Sequence, residues 1–70
     1  MFVYEVWLEG SCLRNSRNAD LFYEDPEYAK DDAENEVIDI IQEWKLDDVY
    51  DGEIKEEDFE IKIIEVWYGL

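Results

Sequence analysis

The apolar positions of this chain follow the spacing of a strand at both ends and of a helix in the middle. From Phe2 to Glu9 every even-numbered position is apolar, which is the period expected of a strand with one buried face. A last strand is predicted from about Phe59 to Tyr68, but its apolar positions change face at Ile63 and Ile64. A β-bulge at that point would turn both sets inward.

The segment between the first strand and the helix is mostly polar. Gly10 and the stretch from Ser11 to Asp20 are typical of a turn followed by a loop, with Asn15 and Asn18 as turn residues. The short apolar run from Leu21 to Tyr23 follows. We expect this run to form a second strand that returns along the first.

The helix is the element that the pattern predicts most clearly. Asp25 suits the N-cap, and Pro26 suits the first helical position because its missing N–H would be unpaired there in any case. We expect the helix to cover residues 26–46. Its apolar stripe has the spacing of a buried helix face and consists of Ala33, Val37, Ile40, Ile41 and Trp44.

These elements predict one small α+β domain over residues 1–70. The two terminal strands are the most apolar segments, so we expect them to pair centrally. A right-handed crossover through the helix then gives a small, mainly antiparallel sheet of two or three strands in the order 2-1-3. One amphipathic helix covers one face of that sheet. A chain of this size buries only about 60% of its unfolded surface, so the core is small.

Charge is distributed unevenly along the chain. There are 21 Asp and Glu residues against six Lys and Arg, which gives a formal net charge of −15, and there is no histidine. Residues 1–19 and 61–70 are each neutral, so the whole excess lies in residues 20–60, where 18 acids meet three lysines. Because 47% of the residues are hydrophobic, we expect a folded chain rather than a disordered acidic one. The charge opposes direct binding to nucleic acid or to an anionic membrane.

Four carboxylates form a row along the helix. At 100° per residue they fall within a sector of about 60°, which we expect to face away from the apolar stripe over a length of about 16 Å. The row consists of Asp32, Glu36, Asp39 and Glu43, and Asp31 lies beside it. The acidic region continues through a loop with further candidate partner-binding residues, namely Asp47, Asp48, Asp51, Glu53, Glu56, Glu57 and Asp58. The alternative is a solvated surface that only confers solubility, although such a surface normally includes more lysine.

The sheet face opposite the helix has no cover in this chain. With the predicted alternation, Val3, Trp7 and Trp67 lie on that face, and exposed tryptophans are frequent at binding hot spots. We expect this aromatic surface to bind a partner protein or a second copy of the chain. In the alternative, a different register places the three residues in the core.

Residue types that support catalysis are scarce. Without histidine, the usual general base and the Ser–His and Cys–His arrangements are absent. Cys12 alone cannot make a zinc site, and three dispersed glycines do not make a phosphate-binding loop. We therefore expect a protein that is not an enzyme and that has neither a cofactor nor a metal.

One metal-binding motif is kept as a minor alternative. Residues 47–58 resemble the calcium loop of the EF-hand family, with acids at loop positions 1 and 5, Gly52 at position 6 and an apolar residue at position 8. Position 3 is Val49, which offers no oxygen ligand, and position 12 is Asp58 in place of the usual glutamate. The segment that follows has the pattern of a strand, whereas an EF-hand continues into a helix.

Cysteine usage and hydropathy predict a cytoplasmic protein. Cys12 has no second cysteine with which to form an internal disulfide, as is typical of a reducing compartment. No apolar run approaches the roughly 18 residues of a membrane span, and the first residues lack the pattern of a secretory signal.

In size, charge and layout the chain resembles the small DNA-mimic inhibitors of bacteriophages and mobile elements, which include anti-CRISPR and anti-restriction proteins and inhibitors of uracil-DNA glycosylase. The resemblance implies an inhibitor whose carboxylates replace phosphates in the nucleic-acid site of a basic protein, such as a CRISPR effector or a restriction enzyme, in the host cytoplasm. The alternative is an acidic binding module, such as an antitoxin, a nuclease immunity protein or an adaptor, that docks through the aromatic sheet face.

Overall fold

The computed structural model describes residues 1–47 and 54–67, and it describes side chains for residues 1–44 and 54–67. Three strands, β1 (Phe2–Leu8), β2 (Ser11–Asn15) and β3 (Phe59–Glu65), form an antiparallel sheet in the order β2-β1-β3. One long helix, α1 (Pro26–Asp47), packs against this sheet. Short 3-10 helices lie at Ser16–Ala19 and Glu56–Asp58. The predicted α+β class and strand order are therefore confirmed.

The second strand lies earlier in the chain than the sequence predicts. Glu9 and Gly10 have φ values of 50° and 82°, so they form a two-residue turn of the primed type, which joins tightly paired strands. The chain returns at once as β2, within the stretch predicted to be a loop. Tyr23 forms only an isolated bridge to Phe2, with N–O distances of 2.7 and 2.9 Å. The prediction was wrong because β2 is a short, largely exposed edge strand without a buried stripe.

The predicted bulge at Ile63 and Ile64 is absent. The register between β1 and β3 is continuous, from Phe2 opposite Glu65 to Leu8 opposite Phe59. Ile63 therefore packs against the core while Ile64, the next residue, points to the other face, where it is exposed. A shift in register occurs instead between β1 and β2 and leaves Leu13 between two paired positions, and Leu13 packs against the core.

The core lies between β1 and one face of α1. Tyr4 and Val6 of β1 pack against a buried stripe of the helix formed by Ala33, Val37 and Ile40. Ile41 and Trp44, which the sequence places in the same stripe, are half-buried at its edge. The helix begins as predicted. The Glu27 N–H donates to the Asp25 carboxylate at 2.9 Å, which satisfies a helix donor that would otherwise lack a partner.

Candidate functional site

The predicted acidic row lies on the flank of α1 that faces β2. Asp32 and Glu36 are half-buried there, while Asp39 and Glu43 are exposed. The row does not face directly away from the apolar stripe as expected, because 100° per residue places its centre about 110° from the centre of that stripe. The most outward positions of the helix include Asp31, which is exposed as a partner-binding acid should be.

Arg14 of β2 pairs with two members of this row. Its Nε lies 3.6 Å from the Glu36 carboxylate, and its Nη2 lies 3.3 Å from the Glu43 carboxylate. The arginine side chain is 42% exposed, so these are partly solvated ion pairs between the edge strand and the helix. The sequence did not reveal them because Arg14 belongs to a segment that is neutral by itself and was predicted to be a loop.

Asp32, at the start of the row, also has a partner in the fold. The Tyr23 hydroxyl donates a hydrogen bond of 2.7 Å to its carboxylate. Burial, and then this hydrogen bond, raises the pKa of Tyr23 well above its ordinary value. Burial also raises the pKa of Tyr4, with a further contribution from the negative charge of Glu36. Both phenols therefore stay protonated at neutral pH, and Asp32 acts as an acceptor within the fold.

The opposite flank of α1 forms a groove with β3 and the 3-10 helix at Glu56–Asp58. The groove has a volume of about 520 Å³. Three carboxylates line it, those of Glu34, Glu56 and Glu57, and all three residues are exposed. Between them lies apolar surface from both the helix and the sheet. We call this feature the acidic groove; its lining comprises Glu34, Asn35, Val37, Ile38, Glu56, Glu57 and Ile61.

The acidic loop predicted over residues 47–58 is only partly described. Asp48, Asp51 and Glu53 lie outside the described residues, as does the side chain of Asp47, the last residue of α1. Asp58 accepts a hydrogen bond of 3.0 Å from the Lys55 N–H and so caps its own turn.

The part of the loop that the structure describes also bears on the EF-hand resemblance. The segment that leaves the loop is strand β3, as the sequence indicates, and not the helix of an EF-hand. Over residues 1–47 and 54–67, no group of three or more acidic or cysteine side chains is placed to hold a metal ion.

The three residues of the predicted aromatic surface do not share one exposed patch. Val3 is only 2% exposed, so its predicted exposure was wrong; it lies in the central strand, which has a neighbour on each side. Trp7 is half-buried, its Nε1 donates to Glu5 at 3.1 Å, and the Lys62 ammonium lies 4.3 Å from its ring centroid. Trp67, by contrast, is 91% exposed.

Trp67 belongs to a small exposed apolar patch that the sequence did not predict as a unit. Met1 is also exposed, and Met1, Glu65, Val66 and Trp67 line a shallow depression of about 340 Å³. The Val66 N–H donates to the Met1 carbonyl at 2.8 Å, which holds the two ends of the described chain together. Pairing of the first and last strands was expected, and it is the signal from which this patch could have been found.

No protein-family model, curated protein or solved structure matches this chain. Among the described residues, no helix is both long enough and apolar enough to cross a membrane. Function must therefore be argued from the surface itself. The described surface offers exposed carboxylates around the helix, an acidic groove, and the exposed Trp67 beside Met1 and Val66.

Proposed function

We propose that this chain is a non-enzymatic inhibitor that presents carboxylates in place of phosphates and occupies the nucleic-acid site of a basic protein. The target class that we favour is a CRISPR effector or a restriction enzyme, and the setting is the cytoplasm of a bacterial cell during infection by a phage. The proposal rests on the charge and exposure of surface residues, because an inhibitor that occupies a binding site does not need catalytic groups.

The observation that supports the proposal most directly is the exposure of acids around the solvent-facing half of α1. Those exposed on the helix are Glu27, Asp31, Glu34, Asp39 and Glu43. A helix rises about 5.4 Å per turn, so its carboxylates approach the spacing of phosphates, which is about 3.4 Å per nucleotide. A net charge of −15 would also accelerate encounter with a cationic groove.

The internal contacts of the row change which residues should be mutated. Asp32 and Glu36 contact Tyr23 and Arg14, so reversing them would disturb the fold as well as any interface. A cleaner variant combines Glu27→Lys, Asp31→Lys and Asp39→Lys, all at exposed positions. Trp67→Ala is a useful control, because it alters an exposed residue away from the helix and leaves the charge unchanged.

The experiment uses a panel of restriction enzymes and of CRISPR effectors loaded with guide RNA. It measures how far the chain displaces fluorescently labelled target DNA from each of them. Wild-type protein should displace the nucleic acid from at least one member, and less effectively as salt rises. The triple reversal should weaken inhibition about 100-fold, at roughly 1 kcal/mol for each charge, whereas Trp67→Ala should not. If the folded triple variant inhibits as well as the wild type, phosphate mimicry is wrong.

A second candidate is an acidic protein-binding module of the antitoxin, immunity-protein or adaptor kind. The observation that favours it is the 91% exposure of Trp67, which lines a shallow depression with the exposed Met1. Binding of this kind would be lost in Trp67→Ala, retained in the triple charge reversal, and insensitive to salt. The same two variants therefore separate the two functions.

A further inference from the structure

The acidic groove combines two features that a surface for counter-ions alone does not need. Its floor is aliphatic, formed by Val37, which is almost fully buried, and by the half-buried Ile61 of β3. Ile38 adds a further aliphatic wall and is 38% exposed. A volume of about 520 Å³ lies within the range of about 300–1,000 Å³ that is usual for ligand sites. The groove can therefore bury an apolar group.

The rims of the groove are charged with one sign. Glu34 stands on the helix side, and Glu56 and Glu57 stand on the side of the 3-10 helix. Among the described residues that line the groove, none is a lysine or an arginine. On the other flank of α1, by contrast, Arg14 lies between Glu36 and Glu43. Lys30 and Lys55 are near these acids in the sequence, but among the described residues neither forms an ion pair with them, so the carboxylates are available to a cation of a partner.

We propose that the acidic groove is a docking site for lysine or arginine side chains of a basic partner protein, with the aliphatic stem on Ile38 and Ile61 and the cationic head between Glu34 and Glu56–Glu57. Lysine and arginine have this division, because their methylene stems cover apolar surface while the charged ends stay solvated. The inference rests on the proposed function in that it names the contact through which a basic target is held.

This site predicts a preference that simple charge attraction does not. A long-stemmed cation buries methylenes on the groove floor, whereas a short-stemmed cation of equal charge reaches the carboxylates or the floor but not both. Each buried methylene contributes substantially to transfer free energy. Two additional methylenes should therefore tighten binding by about tenfold when they are fully buried.

The probe is a ten-residue peptide of alternating lysine and alanine, compared with the same peptide in which 2,4-diaminobutyric acid replaces each lysine. Binding is measured by calorimetry, and its location by the NMR methyl resonances of Ile38 and Ile61, at a pH of about 6 where both peptides are cationic. The lysine peptide should bind five- to tenfold tighter and should shift those two methyl groups.

Matched variants locate the effect in the groove. Glu34→Gln with Glu57→Gln removes two charges from the rims, and Glu24→Gln with Asp20→Asn removes two exposed charges from outside them. Ile38→Ala shortens the aliphatic wall, and Leu21→Ala shortens an exposed aliphatic residue elsewhere. The groove variants should weaken the lysine peptide at least fivefold more than their controls.

Two results would overturn the site. Equal affinity for the two peptides, or equal weakening by groove and control variants, would mean that the peptides respond to the general negative field. This outcome is distinct from failure of the proposed function. A groove that binds the lysine peptide in a chain that displaces nucleic acid from no panel enzyme would retain the site and reject the inhibitor.

Discussion

The two flanks of α1 carry the same type of residue in different surroundings. On the β2 flank, Asp32 accepts from Tyr23, and Arg14 pairs with Glu36 and Glu43. On the β3 flank, Glu34 faces Glu56 and Glu57 across an aliphatic floor. Two carboxylates on the same helix can therefore contribute differently to the free energy of unfolding. Glu36 and Glu43 lie 3.6 Å and 3.3 Å from a cation, whereas no ion pair is formed by Glu34, Glu56 or Glu57 among the described residues.

The difference shows why net charge alone is a poor guide to a binding surface. Counting residues assigns the whole excess to residues 20–60, as if each acid in that range were equally available. In the fold, Arg14 from the neutral first segment compensates part of the helix, and the groove receives no such compensation from the described residues that line it. If the chain binds a basic partner as proposed, we expect binding to be most favourable where negative charge borders apolar surface, as in the acidic groove.

The test with the largest expected effect is to reverse the charge of Arg14. Arg14→Glu removes two partly solvated ion pairs and places a carboxylate between Glu36 and Glu43, so we expect a loss of about 2 kcal/mol in the free energy of unfolding. Arg17→Glu makes the same change of charge at another exposed position and should cost less than about 0.5 kcal/mol. Urea denaturation followed by tryptophan fluorescence measures both, and equal losses would show that overall charge matters more than the β2 flank.

How much of this could be predicted depended on whether a feature is local. The helix was predictable because Asp25, Pro26 and the apolar stripe act within a few residues of one another. The first strand was predictable from its alternation, and so was the order of the sheet, whereas the last strand was predicted with a bulge that is absent. The position of β2 was not, because an exposed edge strand has no buried stripe, and its two-residue turn uses Glu9 in a left-handed conformation that the sequence does not indicate.

The candidate site was less predictable than the fold because its properties arise between distant segments. The sequence correctly indicated acids around the helix, but the contact of Arg14 with Glu36 joins residues in different elements. The burial of Val3 likewise depends on the central place of β1 in the sheet. The acidic groove depends on bringing Ile61 beside Ile38, which no local pattern shows.

A second test removes the phenol that holds Asp32. Tyr23→Phe deletes the hydrogen bond of 2.7 Å and leaves a half-buried carboxylate with one donor fewer, so we expect a loss of about 1 kcal/mol at neutral pH. Tyr28→Phe is the matched control, because that residue is 64% exposed on the helix that carries Asp32 and should change stability by less than about 0.5 kcal/mol. If Tyr23→Phe leaves the free energy of unfolding unchanged, the hydrogen bond to Asp32 does not stabilise the fold.

The raised pKa of Tyr23 also predicts that the free energy of unfolding depends on pH. The pKa of Tyr23 is raised in the folded chain, chiefly by burial and then by Asp32, whereas an unfolded tyrosine ionises near pH 10. Above that pH the unfolded state loses a proton that the folded state keeps. The contribution of Tyr23 to the free energy of unfolding should therefore be fully present below about pH 10 and should fall as pH rises further. Tyr23→Phe should flatten this fall, and identical pH profiles for the two proteins would contradict the assignment.

The test with the smallest expected effect compares the two flanks of α1 most directly, because one substitution is made on each flank. Glu36→Gln removes a partner of Arg14 and should lower the free energy of unfolding by about 0.5 kcal/mol. Glu34→Gln removes repulsion from the acidic groove and should raise it by a few tenths of a kcal/mol, roughly the cost of a like-charge pair at this exposure. Both variants change the net charge by the same amount, so a general relief of repulsion would stabilise both. The two changes in the free energy of unfolding should have opposite signs, and the difference between them should shrink as salt is added. That result would show that Glu36 is stabilised by Arg14 and that Glu34 has no compensating cation.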